Sequence, residues 1–352
     1  MTHESYGNVP FRAQRSARMV LAEDALYLHG GVGLNGTESI LDVSGDLWSF
    51  DPVTYSWDRV PRVALWPQPR RCPGFIHRAD HLLLWGGSGL TTDSDNRRTY
   101  SFLNDLWAFD LRVGTWVLKQ AHDTEFSSSC PRPRYYPVFQ NGPEVCLLFG
   151  GYTEDLLGSQ YLGDTWILRG EDWTCLEESN LVPTPAARYG AAATTVNGVT
   201  YLFGGFGMEG DRNDVWAFHH GSLRWECISV HNEASAPRAR YSCVMGSVGN
   251  ALVVFGGRSR RYPKLNFEDL WKFDLDTNKW RHVALSSLQE AGSGPTNPGY
   301  HAKSAYASDS RWLWLQGGEG PRGHVSDFWR LDMDLEVWEM IHASRSDDPE
   351  FW

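Results

Sequence analysis

Three arginines stand at equivalent places before a Gly-Gly pair, and their chemistry suits an anion site. They are Arg134, Arg188 and Arg240. Guanidinium groups stay charged and donate paired hydrogen bonds to carboxylate or phosphate, so a converging set would hold an anionic ligand. Aligning the chain on its earlier glycine pairs offers further candidates for this position: Arg70 or Arg71, and Gln14 or Arg15. We take Arg71 as the fourth member and expect the set to bind the ligand.

The first and last copies of the pattern depart from it. The residue before the glycine pair is aromatic in four copies: Trp85, Phe149, Phe203 and Phe255. It is His29 in the first copy and Gln316 in the last, where His301 also replaces the arginine and Glu319 follows the glycine pair. Departures from a consistent pattern are expected at functional sites. We therefore predict that His29, His301 and Glu319 are acid/base catalysts. The amide of Gln316 is predicted to bind the substrate. The alternative is that the terminal repeats are irregular only because the ring has to close there.

The last copy also combines groups that bind metals. His301, Glu319 and His324 supply imidazole and carboxylate ligands of the kind that zinc and iron prefer. We predict no metal ligands and no cofactor, and a divalent metal ion at these side chains is the alternative.

The elements that must position these residues are six copies of one unit. Each has a short apolar run of strand type before a glycine pair, then an Asp-x-Trp cluster and a further Trp. The pairs are Gly30-Gly31, Gly86-Gly87, Gly150-Gly151, Gly204-Gly205, Gly256-Gly257 and Gly317-Gly318. The cluster acids are Asp46, Asp105, Asp164, Asp214, Asp269 and Asp327. The later tryptophans are Trp57, Trp116, Trp173, Trp225, Trp280 and Trp338. Each copy accounts for four strands.

This pattern resembles the kelch repeat over residues 12 to 342. The resemblance implies an all-β fold, a six-bladed β-propeller with four antiparallel strands per blade, in which neighbouring blades cover each other around a central channel. Residues 1–352 would form one domain, with blades at about 12–62, 63–120, 130–180, 181–232, 236–286 and 297–342. An arginine at this repeat position is common in kelch repeats, where it pairs with acidic or backbone groups. That pairing is the alternative to an anion site.

Up-and-down strand order brings the first residues of the inner strands to one face, around the mouth of the channel. In kelch domains ligands and partner peptides bind on this face. Tyr135, Tyr189 and Tyr241 follow the arginines and should point the opposite way, as packing residues, unless strand twist brings one to the rim. The basic stretch 258–264 lies on the same face and either extends the anion-binding surface or is a solvated charge run.

Composition narrows the function classes. The chain has 352 residues and a formal charge of -11, which argues against nucleic-acid binding, since phosphate contacts need a concentrated basic surface. Long apolar runs are missing, so we expect no membrane span, and the first residues lack a secretory signal. Six cysteines without Cys-x-x-Cys spacing indicate reduced thiols and a cytoplasmic protein.

Two functions fit these observations. The first is an enzyme for an anionic small molecule, an isomerase, cyclase or lyase, in which the predicted catalysts move protons and the arginines hold the substrate. The second is a protein-interaction scaffold that recognises an acidic peptide on the same face. We expect the enzyme, because the polar departures cluster and no output domain accompanies the propeller.

Overall fold

The structure is a computed structural model that describes residues 14–34, 41–63, 65–92, 98–123, 129–155, 158–176, 183–231, 235–261, 265–284, 297–320 and 323–343. Within these ranges its elements are β-strands, and six antiparallel sheets with four main strands each follow one another along the chain. The second sheet has one additional short strand, β8 Arg70–Arg71. Each sheet is one blade. Its strands pair in sequence order, so the predicted all-β propeller of four-stranded blades is confirmed.

The strands of blades 1 to 3 are listed here from the channel outward. Blade 1 has β2 Arg18–Ala22, β3 Ala25–His29, β6 Leu47–Asp51 and β7 Ser56–Arg59. Blade 2 has β9 Gly74–Arg78, β10 His81–Thr92, β11 Arg98–Asp110 and β12 Thr115–Gln120. Blade 3 has β13 Val138–Asn141, β14 Cys146–Asp155, β15 Gly158–Arg169 and β16 Asp172–Leu176.

Blades 4 to 6 repeat this order. Blade 4 has β17 Ala192–Val196, β18 Val199–Phe203, β21 Val215–His219 and β22 Arg224–Ile228. Blade 5 has β23 Val244–Val248, β24 Ala251–Phe255, β27 Leu270–Asp274 and β28 Lys279–Val283. Blade 6 has β29 Ala305–Ser308, β30 Trp312–Gly320, β31 Gly323–Asp332 and β32 Val337–His342. Short strands at the channel mouth are β1 Gln14–Arg15, β4 Val32–Leu34, β5 Leu41–Val43, β8 Arg70–Arg71, β19 Phe206–Gly207, β20 Gly210–Asp211, β25 Arg258–Ser259 and β26 Leu265–Asn266.

The hydrophobic core is divided into clusters that lie between neighbouring blades. Leu47 of blade 1, for example, is buried in one cluster with Leu84 and Trp107 of blade 2. The first and last blades meet in the same way, because Phe50 and Phe328 share a cluster with their ring centroids 4.8 Å apart. One sheet cannot cover both of its faces, so each blade depends on its neighbours for burial of apolar surface.

The glycine pairs allow neighbouring blades to approach closely. Gly150 and Gly151 have φ of 64° and 109°, and the amide of Gly151 donates a 2.8 Å hydrogen bond to the carbonyl of Arg188 in the next blade. A Cβ atom on Gly150 would lie 2.6 Å from that carbonyl oxygen. A side chain would therefore separate the blades, which explains why the pair recurs.

A belt of backbone hydrogen bonds encircles the channel. Its members stand two positions after Gln14, Arg70, Arg134, Arg188, Arg240 and His301, and they are Ser16, Cys72, Tyr136, Gly190, Ser242 and Lys303. All six have φ between 48° and 65°, and each amide donates to the carbonyl of the preceding member. The bond from the Ser16 amide to the Lys303 carbonyl, 2.8 Å, closes the circle between blades 6 and 1. Blades 1 and 6 each contain four consecutive strands, so side-chain packing and this bond close the ring.

The six cysteines, all within the described residues, form no disulfide bond. Among the residues that the structure describes, no helix is long and apolar enough to span a membrane.

Candidate functional site

The predicted anion-binding arginines are structural. Arg188 is 1% exposed, and its Nη1 and Nη2 atoms donate to the two carboxylate oxygens of Asp214 at 2.6 and 2.8 Å. Nη1 also donates to the carbonyl of Gly204, and Nε to that of Ala186. The same arrangement joins three further pairs, Arg70–Asp105, Arg134–Asp164 and Arg240–Asp269. The expectation that Arg134, Arg188 and Arg240 bind a ligand is therefore wrong, because their donors are engaged inside the blades.

The acids of these pairs belong to the Asp-x-Trp clusters. Burial by itself would raise the pKa of Asp214, but the hydrogen bonds and charge of Arg188 hold that pKa below its ordinary value. Trp216 donates from Nε1 to the same carboxylate at 2.7 Å. The repeated cluster is thus a buried salt bridge with a tryptophan attached.

His301 takes the place of the arginine in blade 6. It is 3% exposed, and its Nε2 lies 3.1 Å from Oδ1 of Asp327, which also accepts from Trp329. In blade 1 the equivalent residue is Gln14, and Asp46 pairs instead with Arg59 and Arg62. His301 therefore has a structural partner, and its assignment as a catalyst is not supported.

His29 and Gln316 are buried in the blades and not on the channel mouth. His29 is 0% exposed, with the rings of Phe75 and Trp116 at 5.9 and 5.8 Å, and burial lowers its pKa to about 3. Gln316 is 1% exposed. These two residues, His301 and Glu319 contact different partners, so the structure does not assemble the predicted acid/base site. The irregularity of the terminal repeats is structural at three of these four positions.

A different set of cations lies at the channel mouth. The residue after the arginine position is Arg15 in blade 1 and Arg71 in blade 2, and both are partly exposed because successive strand residues point in opposite directions. Arg258 and Arg260 come from blade 5 and Lys303 from the belt in blade 6. We call these five residues the cationic rim. Arg71 is the one predicted ligand-binding arginine that lies there.

Glu319 is the carboxylate within this rim. Its Oε1 accepts from Lys303 Nζ at 2.9 Å and from Arg15, and its Oε2 accepts from Arg258. Among the described residues, no carboxylate lies within 4 Å of the guanidinium group of Arg71 or Arg260, although the backbone amide of Arg260 donates to Asp211. The rim therefore carries more positive than negative charge, although the whole chain is acidic. Burial, together with Arg15 and Arg258, lowers the pKa of Lys303 to about 7 despite the nearby carboxylate.

Aromatic rings line the other half of the mouth. This tyrosine wall consists of Tyr135, Tyr152, Tyr161, Tyr189 and Tyr241 from blades 3 to 5. Tyr161 and Tyr189 are stacked with an interplanar angle of 8°, and burial raises the pKa of Tyr189. The rings at 135, 189 and 241 were predicted to pack away from the mouth. Tyr189 and Tyr241 are buried packing residues as predicted, and the three rings meet one another across neighbouring blades.

The cationic rim and the tyrosine wall are in contact. The guanidinium of Arg71 lies 3.8 Å from the ring centroid of Tyr100 and 5.6 Å from that of Tyr135. Arg258 donates from Nε to the hydroxyl of Tyr241 at 2.6 Å, and Arg260 lies 4.8 Å above the ring of Phe206. Cation–π contacts of this kind hold long arginine side chains in place.

An acid from the neighbouring blade orients the basic stretch. Asp211 accepts from the hydroxyl of Ser259 at 2.5 Å and from the amides of Arg260 and Arg261 at 2.9 and 3.0 Å. The first part of the stretch is thus held against blade 4 and extends the basic surface. Residues 262–264 lie outside the described residues.

The channel is constricted below the mouth. Arg18 lies 4.4 Å from the ring centroid of Tyr136, and the Tyr306 hydroxyl is 3.5 Å from the backbone oxygen of Ala193. These residues line a small cavity of about 80 Å³, and a wider cavity of about 340 Å³ lies along the inner strands. His29, His301, Gln316 and Glu319 line neither of them.

The metal-site alternative also has no cluster to support it. Within the described ranges, no group of three His, Cys, Asp or Glu residues is placed to hold a metal ion. Burial lowers the pKa of His324 to about 4, with Arg15 and Lys303 adding to the effect, and Glu319 is engaged by the rim cations.

Sequence reasoning missed Lys303. It stands two residues after His301, where the other repeats have Ser16, Cys72, Tyr136, Gly190 and Ser242. Comparing this position between repeats would have shown the only cation among the six residues. Arg15 was named as an option, and its role depended on a register that only the structure resolves.

Comparisons with known proteins agree with this fold. A family model described as the KLHDC2/KLHL20/DRC7 Kelch-repeats domain matches residues 79–293 and 173–350. Kelch domain-containing protein 3 of Rattus norvegicus is 29% identical over 272 residues, which are 75% of this chain and 65% of that protein.

Two longer proteins are also similar to the chain. The leucine-zipper-like transcriptional regulator 1 homolog of Drosophila melanogaster is 23% identical over 304 residues, 84% of this chain and 29% of that protein. Host cell factor homolog hcf-1 of Caenorhabditis elegans is 28% identical over 232 residues, 62% of this chain and 28% of that protein. The matched regions span less than two thirds of each of these three relatives.

Proposed function

Since this chain belongs to the kelch-repeat family, we propose that it is a protein-binding propeller whose channel mouth recognises an acidic segment of a partner. The observation that carries the proposal is the charge of the cationic rim. Five cations from four blades lie at the mouth, and three of them contact the one carboxylate of Glu319. The guanidinium groups of Arg71 and Arg260 have no carboxylate within 4 Å among the described residues. Such an excess of positive charge attracts carboxylates and speeds their association.

The tyrosine wall favours a peptide over a small substrate. Arginine and tyrosine are enriched in protein interfaces, where tyrosine rings give contact area at little cost in conformational entropy. The rim presents charged surface beside the partly exposed rings of Tyr135, Tyr152 and Tyr161, whereas Tyr189 and Tyr241 are buried behind them. A peptide with carboxylates and neighbouring side chains would contact both halves at once.

The same geometry argues against the enzyme that the sequence suggested. General acid/base catalysis needs groups that converge on one reacting atom. Here His29 is enclosed by aromatic rings, His301 is paired with Asp327, and Glu319 is held by three cations. The interaction scaffold is therefore the better-supported of the two functions.

Binding of a hexaglutamate peptide tests the proposal. A fluorescein-labelled peptide should bind in a fluorescence polarisation assay, and Arg71→Ala should weaken it about tenfold or more, since a hydrogen bond to a charged group contributes about 1.5–3 kcal/mol. Arg224→Ala is the matched control, because Arg224 begins β22 on the opposite face and is exposed. The peptide should be used with an amidated and with a free C-terminus, because both side chains and chain ends carry carboxylates.

Salt and charge reversal complete the test. Affinity should fall as salt concentration rises, and a hexalysine peptide should not bind. Equal binding of hexaglutamate and hexalysine, or equal affinity of Arg71→Ala and Arg224→Ala, would contradict the proposal.

A further inference from the structure

We propose that Glu319 is an internal counter-ion that competes with the ligand for the cationic rim and so determines how strongly acidic a partner must be. This inference rests on the proposed function, because it concerns the same site. A carboxylate of the protein itself occupies three cations that a ligand carboxylate would otherwise contact.

The contacts of Glu319 join three blades. Arg15 comes from blade 1, Arg258 from blade 5, and Lys303 from blade 6, which also holds Glu319. The Glu319 side chain is 16% exposed and the three cations are 20 to 27% exposed, so the pairs are partly shielded from water but open to the mouth. Ion pairs at such a depth are screened less by salt than pairs on the outer surface.

The acid is peculiar to blade 6. The residue after the glycine pair lies opposite the first residues of the inner chain in each blade, as in the bridges Tyr135–Tyr152, Tyr189–Phe206 and Ala302–Glu319. In the other blades it is never acidic: Val32, Ser88, Tyr152, Phe206 and Arg258. The propeller therefore does not need a carboxylate at this position. Its presence beside three cations is a property of the mouth.

The counter-ion divides the rim into two parts. Arg71 and Arg260 are available to a first carboxylate, since neither guanidinium group has an acid within 4 Å among the described residues. A ligand that also engages Arg15, Arg258 or Lys303 must replace their contacts with Glu319. An anion with a single charge gains little from that exchange. A segment with several carboxylates forms enough new ion pairs to offset the loss of the contacts with Glu319. Specificity then depends on a built-in repulsion as well as on attraction.

The test compares Glu319→Gln with the parent chain. The amide keeps the shape of the side chain and removes its charge. Hexaglutamate affinity should rise about tenfold, which corresponds to about 1.4 kcal/mol, and its dependence on salt should become steeper. Binding is best measured at about pH 5.5, well below the pKa of Lys303, which burial, Arg15 and Arg258 lower to about 7, so that this lysine is charged.

Two further variants make the result interpretable. Glu339→Gln changes the net charge equally and should leave affinity unchanged, because Glu339 is an exposed residue of β32 that pairs with Arg330 of β31. Glu319→Ser places the residue of blade 2 at this position and should also raise affinity if the amide variant folds poorly. Thermal unfolding establishes that each variant is folded.

The outcomes separate the two proposals. If the parent chain does not bind hexaglutamate, the proposed function fails. If the parent binds and Arg71→Ala weakens binding, but neither Glu319 variant binds more tightly, Glu319 is not a competitor and this inference is overturned.

Discussion

At the scale of single residues, one position in the repeat decides between structure and recognition. Arg70 is completely buried and salt-bridged to Asp105, whereas the next residue, Arg71, lies in the rim beside Tyr100. The same division separates Gln14 from Arg15. Buried arginines are stable here because a carboxylate and backbone carbonyls accept their hydrogen bonds, so a charge can be kept away from water.

Removing one buried arginine should destabilise the fold without affecting recognition. Arg188→Ala leaves the carboxylate of Asp214 without its partner, and we expect the free energy of unfolding to fall by about 3 kcal/mol. Urea denaturation measures this loss. Hexaglutamate affinity of the folded variant should equal that of the parent chain.

The double variant Arg188→Met with Asp214→Asn is the control. It removes both charges, so the loss of stability should be smaller than in Arg188→Ala. If Arg188→Ala were as stable as the parent chain but bound the peptide more weakly, Arg188 would have to be assigned to the binding site.

At the scale of single elements, the second main strand of most blades carries an aromatic ring toward the next blade, at the residue before the glycine pair. Phe149 packs on Trp225, Phe203 on Trp280 and Phe255 on Trp338, with ring centroids 5.1, 5.1 and 4.8 Å apart. In β3 the corresponding ring is His29, which packs on Trp116 and has no hydrogen-bond partner for either nitrogen among the described residues. Burial of the two ring nitrogens of His29 therefore costs folding free energy that no hydrogen bond offsets.

His29→Phe should stabilise the protein, and more so in acid. Near neutral pH the free energy of unfolding should rise by about 1–3 kcal/mol, because the substitution removes two buried nitrogens that lack hydrogen-bond partners. Burial lowers the folded pKa of His29 to about 3, below its ordinary 6.5, so the unfolded chain takes up the proton first. The native state loses stability as pH falls from 6.5 toward 3, and the advantage of His29→Phe should grow by about 1.4 kcal/mol per pH unit there.

Gln316→Phe provides the comparison for the pH effect. Gln316 occupies the equivalent position in β30, is 1% exposed and has neither amide atom paired among the described residues. An amide does not titrate, so this variant should be stabilised to the same extent at each pH. Denaturant titrations from pH 4 to 8 distinguish the two, and parallel pH profiles would show that His29 is not buried in its neutral form.

At the scale of the whole molecule, the ring is held by repeated interfaces and by the belt. The seam between blades 6 and 1 has its own apolar cluster, and its belt bond of 2.8 Å is as short as that between Ser16 and Cys72. The closed circle also brings residues from both ends of the chain together, since Arg15 and Lys303 meet at Glu319. Cytoplasmic localisation, inferred from the cysteines, stays a prediction.

Truncation at the seam should affect the complete propeller. Phe328→Ala removes a ring that contacts Phe50 and Trp57, and the expected loss is about 3–5 kcal/mol in one cooperative transition. Phe218→Ala, in the cluster between blades 3 and 4, should cost a similar amount. Urea unfolding followed by tryptophan fluorescence compares them. A much smaller loss at the seam would mean that blades 6 and 1 do not support each other.

The sequence by itself determined the repeat, the strand count of each blade and the packing role of the tryptophans. Glycine pairs, Asp-x-Trp clusters and strand-type apolar runs meet local requirements that recur in every copy, so their spacing is readable without coordinates. The pairing of arginine with a cluster acid was among the alternatives that the same spacing left open.

Only the tertiary structure decided which charges lie at the channel mouth. Arg70 and Arg71 differ by one residue, and a strand turns successive side chains to opposite sides, so a shift of one position exchanges a buried salt bridge for a rim cation. Lys303, Arg15 and Glu319 are far apart in sequence and meet because the ring closes. The net charge at the mouth comes from residues of several blades. It depends on the direction in which each side chain points and on closure of the ring, and neither can be read from the sequence of one repeat.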